Sequence, residues 1–188
     1  MARPRSEKRR RTILAAAADL VAAEGINAAT ADVAKRAQVP HGSVFTYFET
    51  KAELFNALYL ELKTELSEAI LRDMPQRRDA RQQFRHLWVT WTNWGVANPS
   101  KRRALAQLSV SDQITASTRK AAEEAARPAV DVVRQAGVEG ALRSAPLSYV
   151  GSVVDTMVGA TTDHMIREPA NAQIVQEAGF EALWRALA

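Results

Sequence analysis

Ser43, Phe45, Thr46 and Tyr47 fall within five consecutive positions, and their side chains suit the grip and reading of a polyanion. Hydroxyls donate to phosphate oxygens, and an aromatic edge can rest on a thymine methyl group in a major groove. Between and after them stand Val44 and Phe48, four residues apart. On a helix those two share one face and give it something to bury, which turns the others outward or sideways. Two aromatics and two hydroxyls are a poor use of a short exposed helix unless something binds there. The other reading of the segment is a plain helical hairpin with half-buried aromatics.

The elements that would hold these residues can be read from the flanking sequence. Thr30 is expected to cap a short helix with Asp32 in its first turn, burying Val33, Ala34 and Ala37. Ala34 and Ala37 are small enough for a second helix to pack closely. Gln38-Val39-Pro40-His41 forms the turn, with Val39 plugging it, and the second helix covers about 42–48. This is the anatomy of a helix-turn-helix. Ahead of it, Ser6 caps a helix to about Ala23, striped by Ile13, Ala16, Ala17, Leu20 and Val21. Gly25 ends that helix in a left-handed cap followed by Ile26. Thr50-Lys51-Ala52-Glu53 reads as a capping box opening a fourth helix, striped by Leu54, Phe55, Leu58, Leu62 and Leu66 and ended by Pro75.

Charge is unevenly placed. Residues 1–51 contain nine Lys and Arg against five Asp and Glu, so the whole excess of +4 lies in the first quarter of the chain. A basic segment joined to a neutral body points to a polyanion partner, with a merely solvated basic tail as the alternative. Arg5 and Arg9 are the arm residues placed toward DNA. Arg9, Arg10 and Arg11 fall on the first helical turns, so they cannot all face it.

The remaining sequence is also helical: about 79–98, 100–108, 112–135 with Pro128 as a kink, 144–167 capped by Ser144, and 170–187, where Gly179 can break the last helix. No strand-like alternation or repeat interrupts this, so the expected class is all-α. The organisation is a helix-turn-helix domain with a basic arm (1–50) and a larger helical body for ligand binding and dimerisation (51–188). Phe84, Leu87, Trp88, Trp91 and Gly95 form a helical stripe, either an aromatic pocket wall or simply core. Helix 144–167 carries a broad apolar face (Leu147, Val150, Val154, Met157, Val158, Thr161, Met165) and a second face of mostly small side chains (Ser148, Ser152, Gly159, Ile166). The last helix is apolar on two sides as well. Such helices need two partners, and a second copy of the chain is an economical one.

Several chemistries are excluded or unsupported. With no Cys there are no disulfides or thiolate metal sites. His41, His86 and His164 have no metal-ligand spacing. There is no paired-carboxylate, Ser/His/Asp or phosphate-loop signature, so no catalytic residue, metal or cofactor is expected. No signal peptide or membrane-spanning run is present, which makes the cytoplasm the default location.

Gly25, Thr30, Val33-Ala34-Lys35-Arg36-Ala37, Gly42-Ser43-Val44-Phe45-Thr46-Tyr47-Phe48 and Lys51 with Leu54 resemble the N-terminal domain of the TetR family of transcriptional repressors. The likeness covers roughly residues 8–60. It implies a DNA-binding domain in which Thr30, Tyr47 and Lys51 contact phosphates while His41, Ser43, Phe45 and Thr46 face the groove. It also implies a homodimer built on the last two long helices and an unidentified small-molecule effector held in the body, for which Trp88, Trp91, Met157 and Thr161 are the candidates. Three positions depart from the family pattern. Gln38 stands where Gly is usual, costing on the order of 1 kcal/mol if left-handed, Pro40 replaces a capping Ser or Thr, and His41 replaces a frequent Lys.

The expected function is therefore that of a ligand-responsive repressor, binding a palindromic operator as a homodimer and released by a small molecule, with no membrane partner. A helical small-molecule-binding protein or enzyme with a basic tail is the alternative, and a regulator answering to a protein partner is a third reading. Removal of residues 1–7 should weaken duplex binding and flatten the salt dependence, the slope of log K against log salt falling by about 0.9 for every phosphate the arm neutralises. Titration over a range of salt concentrations measures this, and an unchanged slope would mean that the arm is only solvated.

Overall fold

A chain whose apolar residues recur only at helical spacing has one way to bury them, and the computed structural model follows it. The structure describes residues 6–75, 79–137 and 139–188. Among them lie nine α-helices and no strand: α1 (Glu7–Glu24), α2 (Thr30–Arg36), α3 (His41–Tyr47), α4 (Lys51–Leu71), α5 (Ala80–Ala97), α6 (Pro99–Ser109), α7 (Ala116–Ala136), α8 (Leu147–Arg167) and α9 (Ala172–Leu187). None of the described helices is long and apolar enough to cross a membrane. The helices gather into two compact units, one of residues 1–64 with 99–124 and the other of residues 65–98 with 125–188.

In the first unit the Ser6 hydroxyl caps α1, accepting from the Arg9 N–H at 3.5 Å. The expected stripe is buried from Ile13 to Val21, and α6 and α2 lie against α1. Gly25 stops α1 at φ +81° and ψ −166°, which is an extended positive-φ conformation and not the left-handed cap that was expected. Its N–H still reaches the Val21 carbonyl, and a short 3₁₀ turn follows. The assigned cap of α2 also changes. Ala29 occupies the cap position and Thr30 is the first helical residue, its hydroxyl engaged elsewhere.

The first part of α4 belongs to this unit, and its Thr50 cap forms as expected, accepting from the Glu53 N–H at 3.1 Å. The return bond of the box goes one residue further back, from the Glu49 N–H to the Glu53 carboxylate at 2.7 Å. From α4, Asn56 fixes the segment between α6 and α7. Its amide donates to the Gln113 carbonyl at 2.8 Å and its oxygen accepts from the Thr115 N–H at 2.9 Å. Held in that way, the chain starts α7 at Ala116 and not at 112, with Thr115 accepting from the Thr118 N–H.

The second unit is organised around Trp88 of α5. Its indole is fully buried and donates to the Gln176 carbonyl of α9 at 2.8 Å. The Gln176 side chain reaches back to Thr92 Oγ1 (2.7 Å) and to Asn93 (3.0 Å), so α5 and α9 are joined by both backbone and side chain. Gly179, a candidate break, lies inside an uninterrupted α9, because a Cβ there would come 2.6 Å from the Trp88 ring and 2.9 Å from Thr161 Oγ1. The long helix α8 begins two residues later than a Ser144 cap would set it. Ala145 precedes a proline and is pushed out of the helical region, so Pro146 becomes the cap. The loop before α8 also ends α9. The N–H groups of Gly140 and Leu142 donate to the carbonyls of Leu187 and Ala186, an approach too close for any side chain at position 140.

Gly179→Ala should lower stability by about 1–3 kcal/mol, the usual effect of overfilling a packed core. Gly151→Ala, on α8 with open space around its Cβ, should be neutral or raise stability by up to about 1 kcal/mol through helix propensity. Urea melts of both variants measure the difference, and equal midpoints would show that Gly179 is not a packing glycine.

Candidate nucleic-acid interface

Val44 and Phe48 are both buried and set the roll of α3. Ala34 and Ala37 of α2, also buried, allow the two helices to approach, while Val39 in the turn is half-buried. Gln38 holds φ +55°, the left-handed conformation in which Gly would have been free of strain, and the Val39 N–H closes the turn on the Ala34 carbonyl at 3.0 Å. α3 starts at His41, one residue before the expected position, with Pro40 at the cap and no side-chain cap bond.

This roll leaves Phe45 42% exposed, His41 and Thr46 exposed, and Ser43 and Tyr47 half-buried. Thr46 donates to the Gly42 carbonyl at 3.2 Å, which leaves its oxygen lone pairs facing out. Tyr47 is fixed by the start of α1, since its hydroxyl oxygen accepts from the Ser6 N–H at 3.0 Å. The phenolic proton remains available to donate to a phosphate. Lys51 lies with its ammonium 5.3 Å from the centre of the Phe55 ring, half-buried at the start of α4. Thr30, at the start of α2, meets His41 across the turn at 3.4 Å. The structure thus brings Thr30, His41, Ser43, Phe45, Thr46 and Tyr47 together on α2 and α3. Arg9 is exposed on the first turns of α1. Arg5 lies outside the described residues.

Two stabilising ion pairs had no sequence signal. Arg10 turns into the protein, pairing with Glu61 of α4 at 2.9 Å and lying 5.7 Å from the Phe48 ring centre. Arg36 of α2 pairs with Asp19 of α1 at 2.8 Å. Both partners are far apart in sequence, and nothing in the local pattern of either helix marks them.

The residues proposed for an effector fall in the second unit. Trp88 and Thr161 are buried beside Gly179, and Trp91 and Met157 are half-buried. Thr162, not singled out from sequence, is fully buried and its hydroxyl has no hydrogen-bond partner among the described residues. A separate cavity of about 130 Å³ is lined by Val133, Gly137, Leu142, Leu147 and Val150, among others. On α5 and α9, Arg85 and Glu177 form a two-pronged pair at 2.6 Å. This bonding holds the Glu177 carboxyl below its usual range and the Arg85 guanidinium above its own.

Residues 13–58 match the family described as bacterial regulatory proteins, tetR family. Among solved structures, the chain is similar to a protein assigned to the tetR transcription regulators from Shewanella sp. PV-4. The two share 27% identity over 96% of this chain and 98% of that one, with a TM-score of 0.82. A TetR family transcription regulator from Marinobacter aquaeolei VT8 is similar over 100% of this chain and 99% of its own, at 21% identity and a TM-score of 0.85. The transcriptional regulator FadR from Bacillus subtilis, solved in complex with stearoyl-CoA, covers 95% of this chain and 99% of its own at 14% identity and a TM-score of 0.69. At those identities the last two are likenesses of fold.

The two neighbouring arginines should separate in function. Arg9→Ala should flatten the salt dependence of duplex binding by about 0.9 for each phosphate that Arg9 neutralises. Arg10→Ala should leave that slope unchanged but lower stability by up to about 1 kcal/mol, as removal of a partly exposed ion pair does. Salt titrations and thermal melts of both variants check this; the assignment is wrong if Arg10→Ala is the variant that changes the slope.

Proposed function

We propose that this chain, whose N-terminal domain and fold are those of the TetR family of bacterial regulators, is a cytoplasmic, ligand-responsive repressor that binds a palindromic operator as a homodimer. The observation that carries the reading is the roll of α3. Val44 and Phe48 are buried, so Phe45 and Thr46 stand exposed with Ser43 and Tyr47 beside them. In this reading residues 1–50 hold the DNA, with Thr30, Tyr47 and Lys51 on phosphates and Ser43, Phe45 and Thr46 toward base edges. Arg5 and Arg9 act from the arm.

Residues 51–188 form the dimer and receive the effector. Support for the dimer comes from an unpartnered face. Gly159 of α8 has open space about it, Tyr149 is 56% exposed, and Ile174 on α9 is 69% exposed. A second copy would cover such a surface, and two-fold symmetry would set two recognition helices on one face of the DNA. Support for an effector comes from the buried, unpaired Thr162 hydroxyl, since a polar atom so placed costs about 1–3 kcal/mol until something bonds it. FadR, of similar fold, holds stearoyl-CoA. Trp91, Met157 and Thr161, with Trp88 behind them, remain the residues proposed to border the ligand. α4 is one unbroken helix from Lys51 to Leu71, and an effector that favours one inclination of it would re-space the two recognition helices. Only a ligand with unequal affinity for the two states can do this. No catalytic role is assigned.

Gly159→Glu should break the dimer, because two copies of the new carboxylate would meet near the symmetry axis without partners. Operator binding should fall with it, as a single half-site binds weakly. Sedimentation at micromolar concentration, alongside a DNA titration, tests both points; a Gly159→Glu protein that stays dimeric would place the interface elsewhere.

A further inference from the structure

Thr30 and His41 are the first residues of α2 and α3, and their side chains meet, with Thr30 Oγ1 3.4 Å from His41 Nε2. On its other side the imidazole meets Phe45 edge-on, ring centres 5.2 Å apart and planes at 72°. The ring is thus held in place while His41 as a whole stays exposed. We infer that His41, which the family likeness turns toward the groove, instead acts with Thr30 as one proton-linked phosphate contact, so that operator affinity rises as pH falls. This rests on α2 and α3 being the DNA-binding pair.

The chemistry lies in the direction of one hydrogen bond. In the neutral tautomer with Nε2 unprotonated the ring accepts from Thr30 and the hydroxyl proton is used inside the protein; in the Nε2–H tautomer the hydroxyl proton is already outward and only the charge is missing. A protonated imidazole donates from both ring nitrogens. Its Nε2–H then points to Thr30 Oγ1 and the hydroxyl proton is released outward. The pair presents two donors, Thr30 O–H and His41 Nδ1–H, together with a positive charge. The two ring N–H bonds diverge, so a phosphate beside Thr30 uses the released hydroxyl and the charge, whereas neutral His41 offers it no charge.

Among the described residues no carboxylate forms an ion pair with His41. From α2 the group facing the ring is Thr30 itself, and from α3 it is Phe45. Asp32 on the first turn of α2 makes no ion pair with His41, Arg36 is held by Asp19, and Glu7 of α1 is engaged by Arg10 and Arg11. The phosphate is therefore what favours the charged ring, and the proton is bound more tightly in the complex than in the free protein. The gain in affinity is therefore present at low pH and lost as pH rises. Histidine is the side chain whose charge ordinarily changes between about pH 5 and 8, and α2 and α3 carry no second one.

The test is a set of anisotropy titrations between about pH 6 and about pH 8 at fixed ionic strength. The probes are a labelled duplex selected from a genomic fragment pool and a scrambled duplex. Affinity should fall with rising pH by up to about tenfold per unit for each linked proton. The salt slope should be steeper at the acid end by about 0.9 per histidine. His41→Gln should be flat in pH, and Thr30→Val should reduce the response. His41→Lys should be flat and bind both duplexes tightly. A pH response that survives in His41→Gln, as it would if His86 or His164 caused it, overturns the inference, and so does a wild-type protein that is flat in pH. A response confined to the selected duplex would overturn the phosphate assignment in favour of a base contact. If no salt-dependent DNA binding occurs at any pH, the DNA-binding reading fails and the inference falls with it.

Discussion

The surface proposed to face DNA depends on the burial of two side chains, Val44 and Phe48. α3 has seven residues, too few for a helix to persist alone in water. It exists because those two side chains enter the core, each contributing about 1.5–3 kcal/mol. Their positions fix the roll of the helix, and the roll decides what faces out. The left-handed Gln38, the small Ala34 and Ala37, and Arg10 over the Phe48 ring serve the same end, bringing the helix close enough to bury its anchors.

The second unit uses a related device with the sizes reversed. There the buried group is the large Trp88 ring, and Gly179 supplies room by having no side chain. A tryptophan in a core needs a partner for its N–H, and the Gln176 carbonyl on the same helix as Gly179 provides one. Space and hydrogen bond come from positions three apart on α9, so Trp88 fixes the height of α9 along α5 as well as its distance.

The parts legible in sequence were those settled by neighbours a few residues apart. The stripe of α1, the Ser6 and Thr50 caps, and the anchors Val44 and Phe48 all depend on helical spacing, and all formed. Apart from the start of α8, which Pro146 displaces locally, the misreadings had distant causes. Thr30 has the right side chain for a cap, but its hydroxyl is drawn to His41 on the next helix. Asp112 could have opened α7, but Asn56, far back on α4, holds the intervening turn. Gly179 looks like a helix breaker until Trp88 is placed beside it. Arg9 and Arg10 are indistinguishable by type, and only Glu61 on another helix separates them. In each case the deciding partner lies well beyond the reach of local periodicity.

The bond between the Ser6 N–H and the Tyr47 hydroxyl joins the start of α1 to α3. It spans 41 positions of sequence and closes a ring of chain that contains α1, α2 and the turn between α2 and α3. A displacement of the first turn of α1 is therefore felt at α3 without passing through the helices between them, and a displacement of α3 pulls on the first turn of α1. The bond works as a tether that couples one end of the unit's longest helix to one of its shortest.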